Sequence, residues 1–225
     1  MNNSAKCSTN PRLQQRFDEL WTRCQSGNLL SPVKPPWQEL VHHYSEPHRF
    51  YHTLAHIAYC LEQFDLASAK IADPDAVEMA LWFHDIIHTP ASADNEQMSK
   101  VLFAELGQGY FEPAFVSRVG ELIMVTTHRS PPSCPDAGYI CDIDLASLGA
   151  PWEIFLSDSR ALRLEQSHCP EERYYWGKLC FFKSLLERQR IFYTDYFRKK
   201  FEEMARKNIL QYRKRIESEF AFNHG

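Results

Sequence analysis

An all-α, single-domain helical bundle is the fold this chain predicts, on three observations. Glycine is scarce, with 8 in 225 residues. Period-2 alternation is rare, and apolar residues recur at three- and four-residue spacing in one segment after another. Helix start signals stand ahead of several of those segments.

The first is Asn10-Pro11, a capping residue followed by a proline at the first helical position. Leu13, Phe17, Leu20, Trp21 and Cys24 then share one face, and Gly27 closes the helix. Pro35-Pro36 restarts the chain, and Trp37, Leu40, Val41 and Tyr44 trace a second, short helix. A third runs from about Tyr51 to Ala69 with Leu54, Ile57, Ala58, Leu61 and Phe64 inward. Asp73-Pro74 caps a fourth, which ends at the loop around Pro90. Further helices are expected near 94–106, 113–127, 152–167 and 171–188, with one or two in 193–219. Between them, "HRSPPSCPDAGYICDIDLASLGAP" reads as a proline-rich loop feeding a short helical turn. Polar Met1 to Asn10 is expected to be a flexible tail, with a single domain over 11–225.

An apolar fraction of 44% and an aromatic fraction of 13% suffice for a packed core. The formal charge of −4 gives no general attraction to nucleic acid or an anionic membrane. No stretch approaches the roughly 18 to 20 apolar residues of a membrane helix. Seven cysteines without CxxC spacing argue against both a disulfide framework and a thiolate zinc site. Together with the lack of an export signal, they point to the cytoplasm. Of the 25 Lys and Arg, 13 lie between Arg173 and Arg215 and alternate with acids, as on a solvated helix face. The late aromatics Phe192, Tyr196, Phe197 and Phe201 pack either internally or against a second subunit, so a homodimer is open.

Chemistry concentrates in three clusters. In "ALWFHDIIHTP", His84 and Asp85 end a buried helix, and His88 follows a turn later. Burying such groups costs on the order of 2 to 7 kcal/mol even when uncharged, so a hydrogen bond or a metal must offset it. Neighbours on a helix point about 100° apart, so the dyad is expected to reach an ion beside the helix rather than stack on itself. In "EPHRFYHTLAHI", His48, His52 and His56 stand at i+4 steps. Thr53 after His52 replaces the glutamate of HExxH, which sets a metalloprotease aside. In "CDIDLASLGAP", Asp142 and Asp144 precede an apolar turn, a place suited to an N-cap.

In the order "YHTLAHI", "ALWFHDIIHTP", "DNEQ" and "DIDLASLG", these stretches resemble the HD-domain superfamily of metal-dependent phosphohydrolases, most closely its small predicted phosphohydrolase branch. The resemblance covers roughly residues 40 to 215. It implies an HD-type bundle in which His52, His84, Asp85 and Asp144 hold a divalent ion. His56 and Asp142 remain the alternative ligands, and with Asp144 as the ligand Asp142 is the candidate to orient a ligand histidine. It further implies that His88 lies near the substrate phosphate.

Two imidazoles and two carboxylates without a thiolate suit Mn²⁺, Fe²⁺, Co²⁺, Ni²⁺ or Zn²⁺, with Mg²⁺ also open. Asp85 is a candidate acceptor of the proton of water, and Glu96 a candidate partner in proton transfer. His128, at a helix end, is a candidate phosphate or second-ion contact. Arg49 and Arg129 are candidate phosphate clamps, because a guanidinium matches phosphate oxygens. The expected activity is hydrolysis of a phosphomonoester or phosphoanhydride of a nucleotide-like small metabolite. The rivals are a non-catalytic metal- or nucleotide-binding regulatory module and a di-iron oxygenase that would recruit His88 and His128.

Overall fold

In a computed structural model of the chain, residues 10–27 and 33–220 are described; among them there are ten α-helices and no strand. The expected tail, apart from Asn10, lies outside these residues. Helix α1 (Pro11–Arg23) begins where the Asn10 side chain accepts the N–H of Arg12. It ends at Cys24, before Gly27. Helix α2 spans Trp37–Tyr44. Helix α3 (Leu54–Ala67) starts later than apolar spacing suggests, because extended Thr53 caps it through the N–H of Ala55. His52 therefore precedes the helix, and only His56 of the three spaced histidines lies on it.

Helix α4 (Pro74–Phe83) is capped by Asp73, whose carboxylate accepts the N–H of Ala76. Helices α5 (Asn95–Gly107) and α6 (Pro113–Val125) follow. The segment expected as loop holds helix α7 (Pro135–Asp144), which continues into a 3-10 turn over Leu145–Gly149. Pro135 is its first residue rather than a breaker, since a missing N–H costs nothing there. Asp142 and Asp144 thus close a helix instead of opening one. Helices α8 (Trp152–Glu165), α9 (Glu171–Glu187) and α10 (Asp195–Phe220) complete the bundle.

Helix α4 is the axis. All of Ala76 to Phe83 is buried, with α1, α3, α5, α6 and α7 packed around it. Phe17 meets Trp82 edge-on at 5.3 Å, and Trp21 meets Phe111 at 4.6 Å. Full burial of side chains of this size contributes roughly 1.5–3 kcal/mol each. The buried carboxylate of α4, Glu78, takes Arg16 of α1 at 2.8 Å, and Arg16 also reaches Asp65 of α3 at 2.7 Å. Tyr44 donates to the Trp82 carbonyl at 2.9 Å and seats α2 on the axis.

The second half of the chain fixes the end of α7. Asp142 accepts the N–H groups of Tyr193 and Thr194 and the Thr194 hydroxyl, each at 2.7 Å, at the start of α10. A Cβ on Gly149 would stand 2.6 Å from Cβ of Phe201, so only glycine lets the 3-10 turn lie this close to α10. Asn208 of α10 donates to the carbonyls of Leu148 and Ala150 at 2.9 and 2.8 Å. Phe192, Phe197 and Phe201 are buried within the chain. No helix among the described residues is long and apolar enough to cross a membrane, and the described cysteines are free.

Candidate metal centre

Four side chains from three segments converge beside the end of α4. They are His56 from α3, His84 and Asp85 where α4 stops, and Asp144 at the end of α7. His84 Nε2 lies 3.0 Å from Asp85 Oδ2 and 3.6 Å from Asp144 Oδ1. His56 Nε2 lies 3.4 Å from Asp85 Oδ2, 3.6 Å from Asp144 Oδ1 and 3.4 Å from His84 Nε2. His84 and Asp85 both reach one point beside the end of α4, as expected, and other helices complete the group.

The donor set fits a divalent ion. Donor atoms that share one ion at about 2.0–2.2 Å stand roughly 2.8–3.6 Å apart, and the spacings here fall in that range. His84 donates Nδ1–H to the Leu81 carbonyl at 2.9 Å, which leaves its Nε2 lone pair aimed at the cluster. Cys60 Sγ comes within 3.6 Å of His56 Nε2 and with His56 and His84 makes a second buried donor group, but that group lacks the two carboxylates and has no member on the cavity that Asp85 and Asp144 line. The mixed nitrogen and oxygen set therefore suits borderline divalent metals better than soft ones.

Electrostatics bind the group together. Burial alone would lower His84, but the charge of Asp85 and the contact with Asp144 raise it well above the usual range. Burial would raise Asp85 and Asp144, yet His84 for the former and His128 for the latter hold both well below it.

His52, expected among the ligands, does not sit in this set but with His88 and Glu165 in a neighbouring group of possible donors. Its Nδ1 lies 2.6 Å from Oε2 of Glu165, the last residue of α8, and its Nε2 reaches only to 3.9 Å from Asp85. Glu165 is buried, and its Oε1 accepts the N–H groups of Phe50, Tyr51 and His52 at 2.8, 2.7 and 2.9 Å. Those three bonds hold the backbone out of α3 and fix His52 beside the cluster. Burial pushes Glu165 up, but bonding to His52 and His88 outweighs it and keeps the carboxyl well below its usual range. The His88 ring lies 4.2 Å from that of His52, with Nε2 3.4 Å from Glu165.

The remaining candidates divide. His128, in a left-handed backbone conformation (φ 53°), directs Nε2 to Asp144 Oδ2 at 2.8 Å, so that nitrogen orients a carboxylate rather than a phosphate. Glu96, in the first turn of α5, faces the cavity. Arg49 as a phosphate clamp is corrected: its side chain is fully buried and already engaged. It donates to the carbonyls of His52 (3.0 Å), Asp85 (2.6 Å) and Ile86 (2.6 Å), tying the two histidine-bearing segments together. Arg129 is corrected as well, since it donates to the Ala93 carbonyl at 2.8 Å and lines a different hollow. Asp142 holds the start of α10 and touches no ligand histidine.

The cluster opens on a cavity of about 510 Å³, in the range of small-molecule sites. Asp85, Asp144, His52, His88 and Glu165 form its polar end, and Phe155, Leu162, Phe181 and Phe182 line it elsewhere. Glu165 and Lys178, which also line it, belong to no motif in the sequence. Each is one charged residue in an amphipathic helix. Comparison of the chain with protein-family models, curated proteins and solved structures finds no match.

Proposed function

We propose that the protein is a metal-dependent phosphohydrolase of the HD type, acting on a phosphomonoester or phosphoanhydride of a nucleotide-like small metabolite. The observation that carries this reading is the common cavity: Asp85 and Asp144 of the four-donor cluster line it together with the His52–Glu165 pair. The resemblance of the sequence motifs to HD phosphohydrolases supports it from a separate direction.

His56, His84, Asp85 and Asp144 would hold the ion. When bound, a divalent ion supplies a Lewis acid for a phosphoryl oxygen and makes water more acidic. His128 keeps one oxygen of Asp144 occupied, so that its other oxygen faces the histidines. Asp85 is placed to accept the proton of the attacking water. His52 gives Nδ1–H to a buried carboxylate, which fixes the ring and leaves Nε2 as the proton carrier on the cavity side. It donates that proton to the departing oxygen, a role worth about 10²- to 10⁴-fold in rate.

Elemental analysis of the purified protein, with hydrolysis of p-nitrophenyl phosphate and a nucleotide panel under added Mn²⁺, Co²⁺, Ni²⁺, Zn²⁺ or Mg²⁺, tests this. About one equivalent of metal and turnover are expected. His56→Ala and His84→Ala should lose the metal, whereas His52→Ala should keep it and lose turnover. Metal retained by His56→Ala and lost by His52→Ala refutes the ligand assignment. Metal-loaded protein that cleaves no phosphate ester refutes the hydrolase and favours a regulatory module.

A further inference from the structure

Lys178, on α9, is the single lysine or arginine among the residues lining the cavity, against the carboxylates of Asp85, Glu96, Asp144, Asp158 and Glu165. Its ammonium lies 5.4 Å from the centroid of the Tyr212 ring, 5.6 Å from that of Phe182 and 5.8 Å from that of Tyr174. Such ring faces attract a cation but do not replace a hydrogen-bonding anion. Among the described residues no carboxylate approaches within the 4.0 Å of an ion pair, and no acceptor takes its hydrogen bonds.

Surface lysines send their charge out to water, as Lys183 on the same helix does at 70% exposure. Lys178 instead keeps its charge at the cavity wall, where burial pushes it down to about 8 and Asp158 offsets only part of that shift. Asp158 acts on both Lys178 and His56, so the lysine and the four-donor cluster lie within electrostatic reach of one carboxylate. Lys178 shares its wall with apolar Phe155, Phe181 and Phe182. An ammonium in such surroundings selects by charge, because an anion gains most where little water competes.

We infer that Lys178 binds a second anionic group of the substrate, a carboxylate or a phosphate, separated by an apolar or aromatic body from the phosphate that lies at the four-donor cluster. This deepens the hydrolase reading and rests on it for the placement of the first phosphate. It narrows the substrate class to phosphate esters with a distal negative charge.

The test uses phosphonates, which are not hydrolysed, on the metal-loaded full chain. Calorimetry compares 4-carboxyphenylphosphonate and the longer 4′-carboxybiphenyl-4-phosphonate, each against its neutral carboxamide. At least one carboxylate should bind about tenfold tighter than its carboxamide, as expected for one charge-assisted hydrogen bond. In Lys178→Gln and Lys178→Met that ratio should fall to about one, with metal content and melting temperature as folding controls. Lys178→Arg should keep the preference.

Three results overturn the inference. They are the absence of a carboxylate preference at both lengths in the unaltered protein, failure of every phosphonate to bind, and a preference that survives in the folded Gln and Met variants. Hydrolysis of phenyl phosphate, 4-carboxyphenyl phosphate and 4′-carboxybiphenyl-4-yl phosphate is scored separately, and turnover means cleavage of any of them. Turnover without the preference sinks this inference alone, while the preference without turnover sinks the hydrolase and leaves Lys178 as an anion-binding group.

Discussion

Removing the Glu165 carboxylate should cost both stability and turnover, and the structure gives the scale. In Glu165→Ala, three N–H groups over residues 50–52 and the His52 ring lose their acceptor. Hydrogen bonds to a charged group contribute about 1.5–3 kcal/mol each, and half-exposed backbone recovers part of that from water. At about 1 kcal/mol for each N–H and about 2 for the ring, the loss comes to roughly 5 kcal/mol, a large part of an ordinary domain's 5–15. Glu165→Gln keeps an oxygen for the three N–H groups but turns a donor toward His52 Nδ1, so its loss should be about half as large.

Because the carboxyl is held below its usual value of 4.5, its stabilising contribution is complete above that value and is lost as pH falls through the folded-state value. The Glu165 carboxylate itself therefore stays ionised between about pH 6 and 8. Urea unfolding of metal-stripped protein measures the cost of each substitution, and hydrolysis of p-nitrophenyl phosphate reads the second effect. Both variants should lose about 10²-fold or more in kcat, since His52 loses its orientation in each. An alanine variant within about 0.5 kcal/mol of the unaltered protein refutes the account of the 50–52 segment. Full turnover in the glutamine variant refutes the account of His52.

Other outcomes follow from the same contacts. Arg49→Met strands the carbonyls of His52, Asp85 and Ile86, and should cost about 3 kcal/mol or more in urea unfolding and weaken metal affinity with it. Gly149→Ala puts a methyl group against Phe201 and should cost about 1–3 kcal/mol while leaving bound metal near one equivalent. The carboxylate preference assigned to Lys178 should decline as pH rises through about 8, where an ordinary lysine would hold its charge to about 10. Asp158 is the charge that faces it, and Tyr174 and Tyr212, pushed up by burial, stay neutral there. Calorimetry at about pH 7 and about pH 9.5 decides it.

Helices whose apolar stripe is bounded by a cap could be read from the sequence, as α1 and α4 show with Asn10 and Asp73. Helix α7 could not, because Pro131 and Pro132 shortly before its first turn hide that Pro135 begins it. The residue types of the metal centre were legible, but the choice between His52 and His56 was not. Four residues apart, they would share a helical face; the distinction arises because Glu165, 113 positions after His52, pulls the backbone of 50–52 out of helix. Arg49 misled for a related reason: a guanidinium beside a ligand histidine looks like a phosphate clamp until its donors are followed to backbone carbonyls. Lys178 carried no local signal, since it differs from its neighbours on α9 only in what α8 and α10 place around it.

The chain order of these groups has a bearing on how the protein is made. His56, His84 and Asp85 emerge early, and the four-donor set closes with Asp144, whereas the carboxylate that orients His52 arrives at residue 165. A growing polypeptide therefore carries all four residues of the donor cluster before it carries the carboxylate that holds His52, and Lys178 comes later still. On the proposed function, the residues that would hold an ion are thus made before those that would put it to use.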